Sequence, residues 1–176
     1  MAYGWAVDRR PATPDEARAL ANPLRLRILR LCLDRSLTNE QIARRLGRDA
    51  GSVLHHVRML VRTGFLEPEG ERRGARGTIE RPYRATRKSW TLEVADAGEG
   101  NLALVDAFRA ELAESGPDSV ESLARLGVRL GPEAAQDVSA RLATLVREVY
   151  AADDPEGVRF GLFVALHRLA EPPETG

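Results

Sequence analysis

The chain has 176 residues, 43% of them hydrophobic and 30% charged, which describes a soluble globular protein with one compact domain or a small domain and a helical extension. No stretch approaches the roughly 20 apolar residues of a membrane-spanning helix, and no apolar run follows Arg9 and Arg10 as in a secretory leader. A single cysteine, Cys32, excludes intrachain disulfides and four-cysteine zinc sites, so a reducing cytoplasm is the expected setting and no membrane the expected partner.

The formal net charge of zero hides an asymmetry. Residues 1–95 hold 19 Lys+Arg against 11 Asp+Glu, and residues 96–176 hold 7 against 15. A basic first half points to a polyanion partner. Two oppositely charged faces attracting each other account for the same numbers.

Thr13-Pro14-Asp15-Glu16 starts a helix, with Thr13 as cap, Pro14 at the first position and Glu16 completing a capping box. Asn22-Pro23 interrupts it and opens a second helix. Here Leu24, Ile28 and Leu31 lie on one face, and Leu26, Leu29 and Leu33 on the opposite one. A helix apolar on two faces is sandwiched between layers, with Arg25, Arg27 and Arg30 expected at the seams. Thr38-Asn39-Glu40-Gln41 is a second capping box, opening a short helix that ends at Gly47. Asp49 caps a third helix, from Ala50 to about Thr63, stopped by Gly64. Two short helices joined by a glycine-containing turn form the helix-turn-helix pattern.

Phe65-Leu66 begins a strand, residues 69–78 form a charged tip with three glycines, and Ile79 to Thr86 returns. This is a hairpin with a long tip, in which Pro82 is expected at an edge or bulge. From about Glu99 the chain is helical again, with a stripe of Leu104, Val105, Phe108 and Leu112. A helix from Asp118 to Leu130 is expected after Gly116-Pro117. Another starts at Gly131-Pro132, with Val138, Leu142, Leu145 and Val149 on one side. Val158 to Leu166 reads as a final strand, and Glu171 to Gly176 as a frayed tail. The expected fold is mainly α with a small β-wing: a winged helix-turn-helix over residues 1–95, then a mainly helical region over 96–176.

The run Ala21-Asn22-Pro23-Leu24-Arg25-Leu26-Arg27-Ile28-Leu29 resembles the start of ArsR-type winged-helix regulators. So do Leu37 to Gly47, Ser52 to Leu60, and Gly64-Phe65-Leu66. In order and spacing they cover roughly residues 15–90. The resemblance implies a homodimer, a recognition helix in the major groove of double-stranded DNA and a β-wing beside it. The metal-sensing members' thiolate cluster is missing, since Cys32 lies in a packed helix and reads as a core residue.

Projected at 100° per residue, the helix from Ala50 packs Val53, Val57 and Leu60 inward, with Ala50, His56 and Val61 at the margins. Gly51, His55, Arg58 and Arg62 face outward, flanked by Ser52, Leu54 and Met59. Arginine can donate two bonds to guanine, serine bonds either way, and leucine can meet a thymine methyl. Gly51 would let the backbone approach a phosphate at the helix N-terminus. The wing adds Arg72, Arg73, Arg76 and Arg81, suited to phosphate or a narrow minor groove. Thr38 completes the expected DNA contacts. A solvated helix face and a solvated loop are the bland alternatives.

His55 and His56 point about 100° apart and make a poor metal pair, so no metal and no cofactor is expected. No P-loop, dinucleotide turn, G-x-S-x-G or metal-ligand spacing argues for an enzyme. A winged helix that binds proteins rather than DNA is the competing class. Leu104, Val105, Phe108 and Leu112 are the expected dimer contacts. Trp90, Phe108, Phe160 and Phe163 are candidate lining for an unidentified small-molecule effector, although core packing explains them equally.

Overall fold

The computed structural model describes residues 10–73, 79–93, 97–154 and 156–170. The chain divides into two compact units, one spanning residues 7–123 and the other running from residue 124 onward.

In the first unit, α1 (Pro14–Leu20) and α2 (Pro23–Leu31) follow the capping signals. Thr13 and Glu16 form the reciprocal box, and Asn22 accepts the Arg25 N–H at 3.1 Å. Thr38 and Gln41 make a second box at the start of α3 (Asn39–Leu46), which ends on Gly47 at φ 60°, a left-handed position natural to glycine. Asp49 caps α4 (Ala50–Arg62).

The strands β2 (Leu37–Thr38), β6 (Pro82–Ala85) and β3 (Leu66–Pro68) form an antiparallel sheet in that order. Its extension is the pair β4 (Arg72–Arg73) and β5 (Ile79–Glu80). A parallel pair, β1 (Arg10–Pro11) with β7 (Leu92–Glu93), ties the start of the unit to the exit from the wing. This is a winged helix-turn-helix. Pro82 is buried at the first residue of the central strand rather than on an edge. A strand's first residue is another place where the missing N–H is tolerated, and the Pro82 carbonyl still accepts the Glu69 N–H at 2.9 Å.

The core gathers Ile28, Leu29, Cys32, Leu37, Ile42, Leu46, Val53, Val57, Leu60, Phe65 and Leu66. Each large side chain buried there stabilises by roughly 1.5–3 kcal/mol. α2 is sandwiched as its two apolar faces require. Its outer cover is α5 (Ala97–Ser115), which turns Ala103 and Ala107 inward and pairs Glu114 with Arg27. The stripe read from the sequence is therefore not the packed one. Leu104 and Val105 are exposed, and Phe108 and Leu112 are half-buried. Small residues let the two helices approach closely, so the alanines take the contact.

Arg25 is buried rather than at a seam. Its Nε donates to the Ala19 carbonyl and its Nη2 to the Arg18 carbonyl, both at 2.6 Å. It thereby satisfies carbonyls at the C-terminal end of α1.

The expected helix from Asp118 to Leu130 is absent. A short 3-10 turn, Pro117–Ser119, follows Gly116 (φ 84°), and residues 121–130 carry no helix or strand assignment. Leu123, Leu126 and Leu130 have helical spacing, but Leu126, Val128 and Leu130 have strand spacing too, so the pattern alone does not decide for a helix. In the second unit α6 (Pro132–Ala151) forms as expected. Its Val138 and Leu142 are half-buried, Leu145 and Val149 are exposed, and Ala143 is its buried residue. Residues 158–166, expected as a strand, pair with no strand among the described residues. Phe160 and Phe163 are exposed. Residues 171–176 lie outside the described residues. No helix among the described residues is long and apolar enough to cross a membrane.

Candidate nucleic-acid interface

The helix α4 sets the site. Val53, Val57 and Leu60 are fully buried against the core. That seats the helix and leaves Gly51, Ser52, His55, Arg58 and Arg62 exposed, with Leu54 and Met59 half-buried beside them. The sequence projection and the structure agree residue by residue along this helix. Arg62 Nη2 reaches Met59 Sδ at 2.9 Å.

The N-terminus of α4 is not open to a phosphate in the way Gly51 led one to expect. The Asp49 carboxylate accepts the Ser52 N–H at 3.0 Å. A Cβ on residue 51 would lie 3.0 Å from that same oxygen, so the glycine makes room for the cap. Asn39 Nδ2 donates to the Ala50 carbonyl at 2.8 Å and fixes the start of α3 against the start of α4. Thr38 is buried, and its hydroxyl is committed to capping α3.

On the wing, Arg72, Arg73 and Arg81 are exposed. Arg72 Nη2 donates to Ser36 Oγ at 3.2 Å, Arg81 pairs with Glu71 at 3.1 Å and Arg84 with Glu69 at 3.6 Å. These pairs lie in water, where they contribute little and can be exchanged for a phosphate. Arg76 lies outside the described residues. Between α4 and the sheet runs a groove of about 400 Å³, lined by Leu54, Arg58, Val61, Arg62, Pro68, Arg81 and Tyr83. Four residues singled out as DNA contacts thus share one concavity: an apolar floor rimmed by three guanidinium groups.

A node behind α4 holds it in place. The buried Glu16 carboxylate receives Arg10 at 2.6 and 2.8 Å, Lys88 at 2.7 Å and the Thr13 N–H at 2.8 Å. Arg10 chiefly, then Lys88 and the Thr13 N–H, hold this carboxyl far below the usual range. The Lys88 ammonium also donates to the Thr63 carbonyl at the C-cap of α4 and sits over the Phe65 ring at 5.3 Å. The sequence reading missed this node. The available signal was one lysine among 26 basic residues.

His56 is half-buried, edge-on to His55 at 5.7 Å between ring centroids. Burial, then Arg25 and His55, push its pKa down, so it stays neutral and packs. Cys32 is fully buried, and burial pushes its thiol up to about 12. Among the described residues no three His, Cys, Asp or Glu side chains cluster as a metal site would require.

Fold and site together define a winged helix-turn-helix protein with an arginine-rimmed groove beside α4. A model of the helix-turn-helix domain family matches residues 20–69, the segment that runs from the end of α1 through α4 into the wing. No curated protein matches the chain. The domain match supports double-stranded DNA as the partner and a role in transcription regulation. Helix-turn-helix domains of this family are typically non-enzymatic.

Proposed function

We propose that this protein is an ArsR-type transcription regulator that reads double-stranded DNA by sequence, as a homodimer. The observation that carries the reading is the two-sidedness of α4: its apolar side is sealed in the core, and Ser52, His55, Arg58 and Arg62 are exposed beside an arginine-bearing wing. The helix enters the major groove, Arg58 reads guanine, and Arg72, Arg73, Arg76 and Arg81 meet the backbone or minor groove. Residues 1–95 carry DNA binding, and residues 96–176 carry dimerisation. The exposed Leu104 and Val105 on α5, continued by Phe108 and Leu112, offer a dimer contact.

Two copies are needed because one helix reads only a few base pairs, too little to find a site among a genome's competitors. Half-sites one helical turn apart, about 10–10.5 base pairs, suit a two-fold pair. A titration of full-length protein on random duplex at low salt tests the reading. Binding is expected at micromolar protein. No binding would favour a protein-interaction module instead.

A further inference from the structure

The groove between α4 and the sheet has two unlike parts. On α4, Leu54, Arg58 and Arg62 follow one another at four-residue spacing and lie in one line along the helix, with Val61 beside them. On the opposite wall, Pro68 of β3 and Tyr83 of β6 are paired in register, and Arg81, two residues before Tyr83, lines the same wall. Leu54, Val61 and Tyr83 are half-buried, and the three arginines are exposed. The interior of the groove is therefore carbon, and its lip is cationic.

A duplex accounts for the lip and not for the interior. It brings phosphates and base edges, and the apolar groups of its major groove are thymine methyls. A concavity of about 400 Å³ is far larger than a methyl. It lies in the size range of small-molecule sites, which are mostly apolar with a few placed polar groups. The charge on the lip says which head group such a molecule carries. A guanidinium takes a carboxylate through two parallel N–H donors, and Arg81 already holds one, that of Glu71 at 3.1 Å. Both partners of that pair are exposed, so an incoming carboxylate displaces Glu71 at little cost.

We propose that this groove binds a small carboxylate with an apolar body, and that its occupancy excludes DNA. The body lies on Leu54, Val61, Pro68 and Tyr83, and the carboxylate meets the guanidinium groups of the lip. Neutralising that lip and filling the space beside Arg58 withdraws the face that α4 turns to the duplex, so the ligand acts as a releasing signal. The exclusion rests on the DNA reading put forward above, and the binding site does not.

Calorimetric titration of the full chain with octanoate and with naphthoate tests the site without DNA. One molecule per chain is expected for at least one probe, at a Kd of about 1 mM or tighter, the range open to ligands this small. Acetate carries the charge without the body, and octanol the body without the charge, so each should bind about tenfold more weakly or worse. Val61→Phe fills the interior and leaves every charge in place. It should weaken the ligand by about tenfold or more, while helical circular dichroism and low-salt binding to random duplex persist. Leu54→Gln makes the interior polar and should act in the same direction, which covers the case that Val61→Phe disturbs the core. Anisotropy of labelled random duplex tests the exclusion. At about ten times its own Kd the ligand should raise the apparent duplex Kd by about tenfold, against acetate at equal ionic strength. Failure of both probes to bind overturns the site, as does binding to both variants as tight as to wild type. Ligand binding with duplex affinity unchanged overturns the exclusion. A protein that binds the ligand and no duplex keeps the site and loses the DNA reading, and one that binds duplex and neither probe does the reverse.

Discussion

Lys88 Nζ lies 2.7 Å from Glu16 Oε1 and donates at the same distance to the Thr63 carbonyl, so one ammonium joins the first helix to the end of α4. The site is tight: a Cβ on Gly64, itself at φ 73°, would lie 3.3 Å from that nitrogen. Lys88→Met should cost roughly 1–3 kcal/mol, the worth of hydrogen bonds to a charged group. Lys88→Arg should not restore it, because a planar guanidinium does not fit where the ammonium sits against residue 64. Urea unfolding of the three proteins measures this. A Lys88→Met midpoint equal to wild type would show that the node is dispensable.

The same carboxylate predicts how stability depends on pH. Arg10, Lys88 and the Thr13 N–H depress the Glu16 pKa in the folded state. The unfolded chain therefore binds more protons at acid pH, and stability rises with pH through that range. The contribution is complete above the ordinary glutamate value of about 4.3 and is lost as pH falls beneath it. Glu16→Gln should be less stable than wild type at pH 7, with the gap closing toward pH 3. Parallel pH–stability curves for the two proteins would contradict this.

Burial holds the Cys32 thiol near 12, so almost no thiolate exists at neutral pH. Native protein should react negligibly with thiol reagents at pH 8 and completely in denaturant. DNA binding should be indifferent to mild oxidants. Rapid labelling of the native protein would mean that α2 opens readily from α5.

Legibility followed locality. The caps at Thr13, Asn22, Thr38 and Asp49, the stop at Gly47 and the two sides of α4 are set by residues three or four apart, and all were readable. The match to the helix-turn-helix family covers this same stretch. What failed depended on distant partners. Arg25 read as a seam residue, and its burial depends on the two carbonyls that α1 presents to it. The packed side of α5 runs through alanines, which carry little hydrophobic signal. Leu126 and Leu130 satisfy helix and strand spacing at once. A strand is a property of a pair, so Val158 to Leu166 had the right period and no ladder.

Affinity for duplex should fall steeply with salt. If the dimer neutralises about 6–10 phosphates, binding should weaken by about 10³–10⁵ between ~50 and ~200 mM. Arg81 and Arg84 sit in exposed ion pairs, so little is lost when a phosphate replaces the carboxylate. Fluorescence anisotropy across that range gives the slope, and a flat response would remove the phosphate contacts.

Arg58 and Arg73 should separate specificity from affinity. Arg58 stands on the outward side of α4, at the rim of the groove shared with Arg62 and Arg81. Arg73 stands on β4, at the exposed base of the wing tip. A guanidinium on the recognition helix can take two acceptors on a guanine edge, and replacing a good bidentate contact costs roughly 1–3 kcal/mol at the cognate base pair. Random duplex rarely offers that guanine, so Arg58→Ala should weaken it far less. In the proposed mode a wing arginine meets phosphates, which every sequence carries. Arg73→Ala should therefore weaken cognate and random duplex by similar factors and lower the salt slope by about one per arm. Both substitutions lie on exposed surface away from the core, so stability should change by less than about 0.5 kcal/mol. Sites selected from a random pool would supply the cognate duplex, and titrating each variant on cognate and random DNA gives four ratios. An Arg58→Ala protein that loses both equally makes Arg58 a phosphate contact, and base reading would then have to rest on Ser52 and His55.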